Sequence, residues 1–344
     1  MSTRTGSAAV APTTDREGRR VDPVDLLSQF GAWIVLAVLI AVFAILEPRF
    51  LTERNLLNVM RQVSIVGIIA VGMTFVILTA GIDLSVGAIV AVSGLVAAAI
   101  AKGARGTEAL SATDPGGSRI VWAALAAITV GLVIGMLQGT VIARLGVPAF
   151  VVTLGGMTIW RGAALIFADG QPITRLSKDF TYLGKQSWLG IPIPVVVFLT
   201  FVVAAHVVLR YTQYGRWIYA VGGNPEASRL SGLPTAWLIW SVYVISGFCA
   251  GLGGFVLASR LGSAEQTAGE QYELQAIAAV VIGGTSLFGG EGRIAGTLAG
   301  VLLIGVLNNG LVVNNVNAYY QYVAVGSIVV FAVFFDQIFK RRRR

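Results

Sequence analysis

The sequence predicts an all-α polytopic membrane protein, with about ten transmembrane helices arranged as two inverted halves of five helices each. The first observation is composition, because 56% of the 344 residues are hydrophobic and only 12% are charged, whereas soluble domains carry about 25% charged residues. The second is a series of apolar runs, most of them near the roughly 20 residues that a helix needs to cross a bilayer. The third is the presence of 42 glycines, which membrane helices use to bring their backbones close together.

Polar or turn-forming segments separate the apolar runs. Glu47-Pro48-Arg49 ends the first run, and a polar loop at 102–119 follows the third. A second polar loop, 169–190, follows the fifth run, and a long polar segment at 210–235 separates the sixth from the seventh. The eighth run is short, and we expect a break at Gly283-Gly284. The predicted spans are 31–46, 63–80, 84–101, 120–143, 149–168, 191–209, 236–258, 274–287, 294–313 and 320–339.

Basic residues are concentrated at the two ends of the chain, and the net charge is +8. We expect a polar basic tail at 1–30, a transmembrane domain at 31–339 and a basic tail at 340–344. Basic flanks mark the cytoplasmic side of a membrane protein, and an even number of spans places both termini on that side. The internal loops lean slightly the other way, so the orientation rests on the ends and on the resemblance described below. This placement of charge argues against nucleic-acid binding. No small-residue cleavage site follows the first run, so we expect a retained first helix rather than a cleaved signal peptide.

A weak internal repeat divides the transmembrane domain into halves at about 31–190 and 191–339. Two five-helix halves must run in opposite directions because five is odd, and inverted halves are typical of transporters. Chance matching among Gly, Leu and Val is the alternative explanation. The matching pairs are Gly135-Met136-Leu137-Gln138 with Gly305-Val306-Leu307-Asn308, Gly156 with Gly326, and, at a different offset, Asp83-Leu84 with Glu273-Leu274.

A short helix is predicted inside the polar segment between the sixth and seventh spans. Asn224 is a favourable N-cap, Pro225 suits the first helical position, and Glu226 places an acid in the first turn. Gly232 is a natural stop signal. Two turns cannot cross a membrane, so this helix is suited to docking on a partner at the charged side. The alternative is an ordinary loop helix that packs on the bundle.

The residues of this short helix and of four other segments carry a resemblance to a known family. Glu226-Ala227-Ser228, with Gly232 six residues after Glu226, looks like the coupling-helix motif of ABC importer permeases. The other segments closely resemble the ribose-type (monosaccharide) ABC transporter permeases, and the resemblance covers about 30–340. Those segments are 78–87, 272–286, 289–297 and 307–311.

The resemblance implies the permease subunit of an ATP-driven importer for ribose or a related monosaccharide in the bacterial cytoplasmic (inner) membrane. It implies a homodimer, a cytoplasmic ABC ATPase docked at 224–232, and a periplasmic or lipid-anchored sugar-binding protein on the other face. We expect no cofactor on this chain, since ATP and Mg are used by the partner ATPase. The sugar itself is left open. The implied coupling residues are Asn224, Pro225, Glu226, Ala227, Arg229 and Gly232.

Polar residues inside the apolar runs are the remaining candidates. Gln138, Asn308 and Asn309 are candidates for the translocation pathway, because amides suit a neutral sugar; they equally suit interhelix hydrogen bonds, worth about 0.6 kcal/mol. Asp83 is expected to cap the third helix together with Ser85 rather than to contact sugar. The structural or gating candidates are Asp83, Ser85, Arg161, Glu273, Gly283 and Gly284.

Several chemistries are excluded by what the chain contains. The single cysteine, Cys249, and the single histidine, His206, permit neither an intrachain disulfide nor a multi-histidine metal site, and both are expected to be packed side chains. The glycine-dense turn at 283–296 lacks the G-x-x-x-x-G-K-[ST] pattern of a phosphate loop, so closely packed backbone or a flexible gate explains it better. The first alternative function is a secondary transporter driven by an ion gradient. The second is an integral membrane enzyme, and against it the chain offers no nucleophile–base–acid set.

Overall fold

The computed structural model describes residues 23–103 and 117–343. Within those residues the chain forms thirteen α-helices, a 3-10 helix and one short antiparallel strand pair. The elements are α1 (Pro23–Leu46), the 3-10 helix (Pro48–Leu51), α2 (Glu53–Leu78), α3 (Val86–Lys102), α4 (Gly117–Ala143), α5 (Ala149–Ala168), α6 (Lys178–Lys185), β1 (Ser187–Trp188), β2 (Ile191–Pro192), α7 (Ile193–Tyr211), α8 (Gln213–Gly223), α9 (Pro225–Leu230), α10 (Thr235–Leu261), α11 (Tyr272–Ile282), α12 (Ile294–Val313) and α13 (Ala318–Arg343).

Each predicted span overlaps one of these helices, which confirms an all-α polytopic membrane protein. In the described part of the chain, six helices are long and apolar enough to cross a bilayer, namely α2, α4, α5, α7, α10 and α12. The apolar part of α1 and the whole of α3 and α11 are shorter. The exact number of spans, and the two halves, therefore stay predictions.

Several boundaries differ from those read from hydropathy. Helix α2 begins at Glu53 rather than near residue 63, because polar residues continue the helix beyond the apolar run. Helix α1 is helical from Pro23, the first described residue, and so extends into the segment predicted as a tail. Helix α13 continues to Arg343, through most of the predicted basic tail. The first 22 residues lie outside the described part of the chain.

Two polar segments contain more structure than predicted. The predicted loop 169–190 includes α6, whose N-cap Ser177 accepts a hydrogen bond from Phe180 N at 3.2 Å, and a strand pair that leads into α7. The Phe180 ring packs edge-on against Phe255 of α10, with centroids 5.5 Å apart. The segment 210–235 holds two helices, α8 and α9, where one was predicted. A hydropathy scan misses α6 and α8 because short helices outside the bilayer need no apolar run.

Helices α2 and α10 form the centre of the bundle. In the most apolar window of each, 89% and 78% of the residues are buried, against 17% to 33% for α4, α5 and α7. The two central helices contact each other; α10 also packs on α3 and α4, and α2 on α7, α11 and α12. The surrounding helices turn apolar side chains outward, as expected for surfaces that face lipid.

The contacts of the central helices follow a pattern that two related halves would produce. Helix α10 packs on α3 and α4, and α2 packs on α11 and α12. Both α3 and α11 are short, and each follows a non-helical stretch, 79–85 and 262–271 respectively. The match is incomplete, because α7 packs on α2 whereas its counterpart α1 packs on α12, so the inverted halves stay a prediction.

The contact between α4 and α10 depends on glycine. A Cβ atom at Gly131 would collide with the carbonyl oxygen of Gly247, and one at Gly247 would collide with the carbonyl oxygen of Gly131. The two backbones therefore touch directly, which is the use of glycine expected in membrane helices. Larger side chains at either position would separate α4 from the centre of the bundle.

Candidate functional site

The short helix α9 is built as the sequence predicts. Asn224 is its N-cap, with Oδ1 accepting a hydrogen bond from Ala227 N at 2.9 Å, and Pro225 occupies the first turn. The helix ends after Leu230, and Gly232 follows with φ of +82°, a left-handed conformation that favours glycine. The predicted cap and stop of this helix are thus confirmed.

One face of α9 is open to solvent. Glu226 and Arg229 form an ion pair of 2.6 Å, and their side chains are 66% and 63% exposed. The hydrogen bond and charge of Arg229 hold the pKa of the Glu226 carboxyl below its ordinary value. Leu230 is 77% exposed, whereas Ser228 is buried and faces the bundle. This face presents a paired charge and an exposed apolar side chain, the mixture that suits contact with another protein.

Helix α8 leads into α9 with only Asn224 between them. Its N-cap Thr212 accepts a hydrogen bond from Gly215 N at 3.2 Å. Its Tyr214 hydroxyl lies 2.6 Å from the Ser241 hydroxyl of α10. The Tyr219 hydroxyl donates to the carbonyl oxygen of Gly292 at 2.9 Å; burial raises the pKa of Tyr219, and the nearby Arg293 only partly offsets that rise, so the hydroxyl is protonated at neutral pH.

The residues from Gly283 to Arg293, called the glycine loop below, connect α11 to α12. Helix α11 ends at Ile282, which confirms the break predicted at Gly283-Gly284. Gly284 has φ of +86°. Gly283 lies against the backbone of Gly296, with no room for a Cβ atom at either position. Closely packed backbone therefore accounts for Gly283, whereas the left-handed conformation accounts for Gly284.

A buried polar cluster joins the stretch between α2 and α3 to α4 and α10. The Asp83 carboxylate accepts hydrogen bonds from Ser85 N at 3.0 Å, from the Ser85 hydroxyl at 2.6 Å and from the Ser246 hydroxyl at 2.7 Å. The Gln138 amide lies 2.9 Å from the Ser85 hydroxyl. All four side chains are buried, so the cluster holds these segments together inside the bundle.

Two details of the cluster follow from its geometry. The Ser85 hydroxyl has one proton to donate, and two acceptors lie within reach, Asp83 Oδ1 at 2.6 Å and Gln138 Oε1 at 2.9 Å. The predicted cap of α3 is also corrected: Ser85 is the N-cap, but its side chain makes no capping bond. Asp83 lies too early in the chain to reach the free N–H groups of the helix, and instead fixes the turn that precedes it.

Arg161 holds the stretch 262–271, which follows α10. Its Nη1 donates to the carbonyl oxygens of Gln266 at 2.6 Å and Ala268 at 2.9 Å. The Gln266 side chain in turn donates to Gly170 O at 2.6 Å. Glu273, in the first turn of α11, interacts electrostatically with Arg161, and its Oε2 has no hydrogen-bond partner among the described residues.

The two asparagines of α12 have different surroundings. Asn309 exchanges two hydrogen bonds with Asn55 of α2, at 2.8 and 3.0 Å. Asn308 is buried, and its Oδ1 has no partner in the described part of the chain. Among the pathway candidates, Gln138 joins the Asp83 cluster and Asn309 joins two helices. Among the described residues the three share no hydrogen bond with one another, so they are not joined into one polar site.

Three residues that make these polar contacts were not predicted from the sequence: Ser246, Tyr219 and Asn55. Ser246 is a hydroxyl in the middle of an apolar run, and that interruption was a usable signal. Tyr219 and Asn55 carry no such signal, because their partners are distant in sequence. Cys249 is buried and unpaired, and His206 is half-buried beside the Tyr211 ring, so both are packed as predicted.

Comparison with known proteins decides the family. A family model described as the permease component of branched-chain amino acid transport systems matches residues 55–333. The ribose import permease protein of Bacillus subtilis is 43% identical over 93% of this chain and 96% of its own length. This chain belongs to the ribose-type sugar permeases of ABC transporters. The permease is thus a multi-pass inner-membrane transport subunit rather than an enzyme.

Other relatives of the permease transport different sugars. The D-allose transport system permease protein of Escherichia coli K12 is 38% identical over 91% of this chain and 93% of its own length. The L-arabinose ABC transporter permease protein of Azospirillum brasilense is 36% identical over 98% of this chain and 94% of its own length. No solved structure matches the chain.

Proposed function

We propose that this permease is the membrane subunit of an ATP-driven importer for ribose or a closely related monosaccharide. The observation that carries the proposal is its identity of 43% to a ribose import permease, over nearly the full length of both chains. Ribose is preferred over allose and arabinose because those relatives are less similar, at 38% and 36% identity. In this view the chain provides the route, and ATP and Mg are used by a partner ATPase.

The ATPase docks on α9. That helix is exposed and too short to span a bilayer, and it carries the paired charges of Glu226 and Arg229 beside the apolar Leu230. Asn224 and Gly232 set its two ends and so hold this face in place. The end of the bundle that carries α9 then faces the cytoplasm, together with both basic termini.

The sugar-binding protein delivers its cargo at the opposite end, where α6 and the strand pair lie. Because that protein selects the sugar, the membrane route needs no tight binding site. A neutral sugar in transit is served by amide and hydroxyl groups, and Asn308 is the pathway candidate whose amide oxygen is left without a partner among the described residues. Two copies of the permease assemble around the route as a homodimer.

Reconstitution in proteoliposomes tests the proposal. The permease is combined with the ATPase and the sugar-binding protein encoded beside it, and labelled ribose is supplied with ATP and Mg inside the vesicles. We expect uptake that requires all three proteins and ATP, with allose and arabinose as competitors that rank the substrates. Uptake by the permease alone, driven by a proton or sodium gradient, would instead establish an ion-gradient-driven secondary transporter.

A further inference from the structure

The glycine loop lies between α8 and the end of α2. On one side the Tyr219 hydroxyl of α8 donates to the carbonyl oxygen of Gly292 at 2.9 Å. On the other side Gly290 N donates to the carbonyl oxygen of Leu78, the last residue of α2, at 2.9 Å. The loop is therefore hydrogen-bonded both to the helix that precedes α9 and to a central helix of the bundle.

Direct backbone contact reinforces these bonds at Gly222, in the last turn of α8. A Cβ atom at Gly222 would collide with the carbonyl oxygen of Leu78 and would lie 2.5 Å from Gly290 N. A Cβ atom at Gly289 would lie 2.8 Å from the carbonyl oxygen of Gly222. The neighbouring Gly223 differs, because nothing lies within 4 Å of the position that its Cβ would take.

The loop is also fixed to the helices that it connects. Ser286 N donates to the carbonyl oxygen of Glu291 at 2.9 Å across the loop. The backbones of Gly283 and Gly296 touch at the junction with α12. The hydroxyl of Thr297, in the first turn of α12, lies 2.9 Å from the Thr74 hydroxyl of α2. Parts packed this closely move as a unit rather than slide past one another.

We propose that the glycine loop is the transmission contact of the permease, through which a displacement of α9 reaches α2, α11 and α12. Tyr219 and Gly222 act as positioning residues: they join α8 to the loop but do not belong to the exposed docking face. This inference rests on the proposed ATP-driven function, since it is the ATPase that displaces α9.

A matched pair of alanine variants tests this role. Gly222→Ala places a methyl group between α8, the loop and α2, whereas Gly223→Ala places one in open space at the adjacent residue. Both variants lose the same backbone freedom. The complete three-protein system is reconstituted for each, and ATP hydrolysis, sugar uptake and ATPase co-purification are measured. We expect Gly222→Ala to bind the ATPase normally but to lower sugar taken up per ATP by at least about fivefold.

Two results for Gly222→Ala would overturn the inference. One is an uptake per ATP equal to that of Gly223→Ala, which would reduce the contact to static packing. The other is loss of ATPase binding by a folded Gly222→Ala protein, which would place Gly222 in the docking surface. The wild type in the same vesicles keeps the two proposals apart, because its failure to take up sugar with ATP would reject the proposed function itself.

A second pair decides the matter if Gly222→Ala does not fold. Tyr219→Phe removes only the hydroxyl that bonds Gly292, and Tyr211→Phe removes an exposed hydroxyl from the end of α7. We expect Tyr219→Phe alone to lower sugar taken up per ATP, with ATPase binding unchanged in both variants. Equal uptake per ATP in the two variants would reject the transmission role of the loop.

Discussion

The Ser246 hydroxyl donates a hydrogen bond of 2.7 Å to the Asp83 carboxylate, and this bond joins the stretch between α2 and α3 to the middle of α10. Both side chains are 1% exposed. A carboxylate inside a membrane bundle is expensive unless it is paired or hydrogen-bonded. Here hydroxyl and backbone N–H groups supply those hydrogen bonds, so Asp83 holds α10 to the non-helical stretch between α2 and α3.

Removing the Ser246 hydroxyl should lower the stability of the permease. We expect Ser246→Ala to cost about 1–3 kcal/mol, because a buried carboxylate oxygen loses its donor. The matched control is Ser64→Ala, since Ser64 is equally buried but donates only to the Met60 carbonyl oxygen of its own helix. Thermal unfolding in detergent measures the difference, and equal melting temperatures for the two variants would contradict the stabilising role of the Ser246–Asp83 hydrogen bond.

The Asn309–Asn55 pair should show a coupling energy in a double-mutant cycle. Each single change to alanine removes both hydrogen bonds, so the double variant should lose less than the sum of the singles. The expected coupling is about 0.6 kcal/mol, with an upper range of 1–2 kcal/mol. Unfolding measurements on the four proteins give this value. Strict additivity, combined with a specific loss of sugar uptake in Asn309→Ala, would favour a pathway role for Asn309.

Loss of the Asn224 cap should weaken ATPase binding. Replacing an N-cap by alanine costs about 1 kcal/mol, and α9 has only six residues with which to compensate. Because the ATPase must then order the helix on docking, we expect affinity to fall about fivefold. Asn224→Asp should restore binding, since aspartate is an equally good cap. A titration of purified ATPase against the permease in nanodiscs measures both, with the exposed Asn58→Ala as control.

The exposed ion pair of α9 should matter for coupling more than for folding. We expect Glu226→Ala combined with Arg229→Ala to reduce ATPase assembly and ATP-driven uptake while leaving the melting temperature nearly unchanged, because exposed pairs contribute little to stability. The alternative is that the docking face does not depend on this pair. Unimpaired assembly and uptake in the double variant would establish that alternative.

The same pair predicts how assembly depends on pH. The hydrogen bond to Arg229 lowers the pKa of Glu226 in the folded protein. The contribution of the pair to folding stability is therefore complete above the unfolded pKa of glutamate, and it is lost as pH falls through the lowered pKa. We expect Glu226 to give assembly no pH dependence between about pH 6 and 8. A change within that range that Glu226→Gln abolishes would contradict this assignment.

Local features of the chain were predictable because their causes are local in sequence. Hydropathy located a helix at every predicted span, since each span must bury an apolar run. The cap at Asn224 and the break at Gly283-Gly284 followed from the backbone preferences of single residue types. Short helices such as α6 and α8 were not predicted, because they lie outside the bilayer and need no continuous apolar run.

The sequence by itself determined the class of the protein, its apolar helices and the exposed helix that the proposed ATPase contacts. Only the tertiary structure decided which polar residues meet. It joined Gln138 to Ser85, and Asn309 to Asn55, and it placed Gly222 and Tyr219 against the glycine loop. The physical reason is range: hydrophobic periodicity and backbone preference act along a few residues, whereas these contacts join residues between 53 and 254 positions apart.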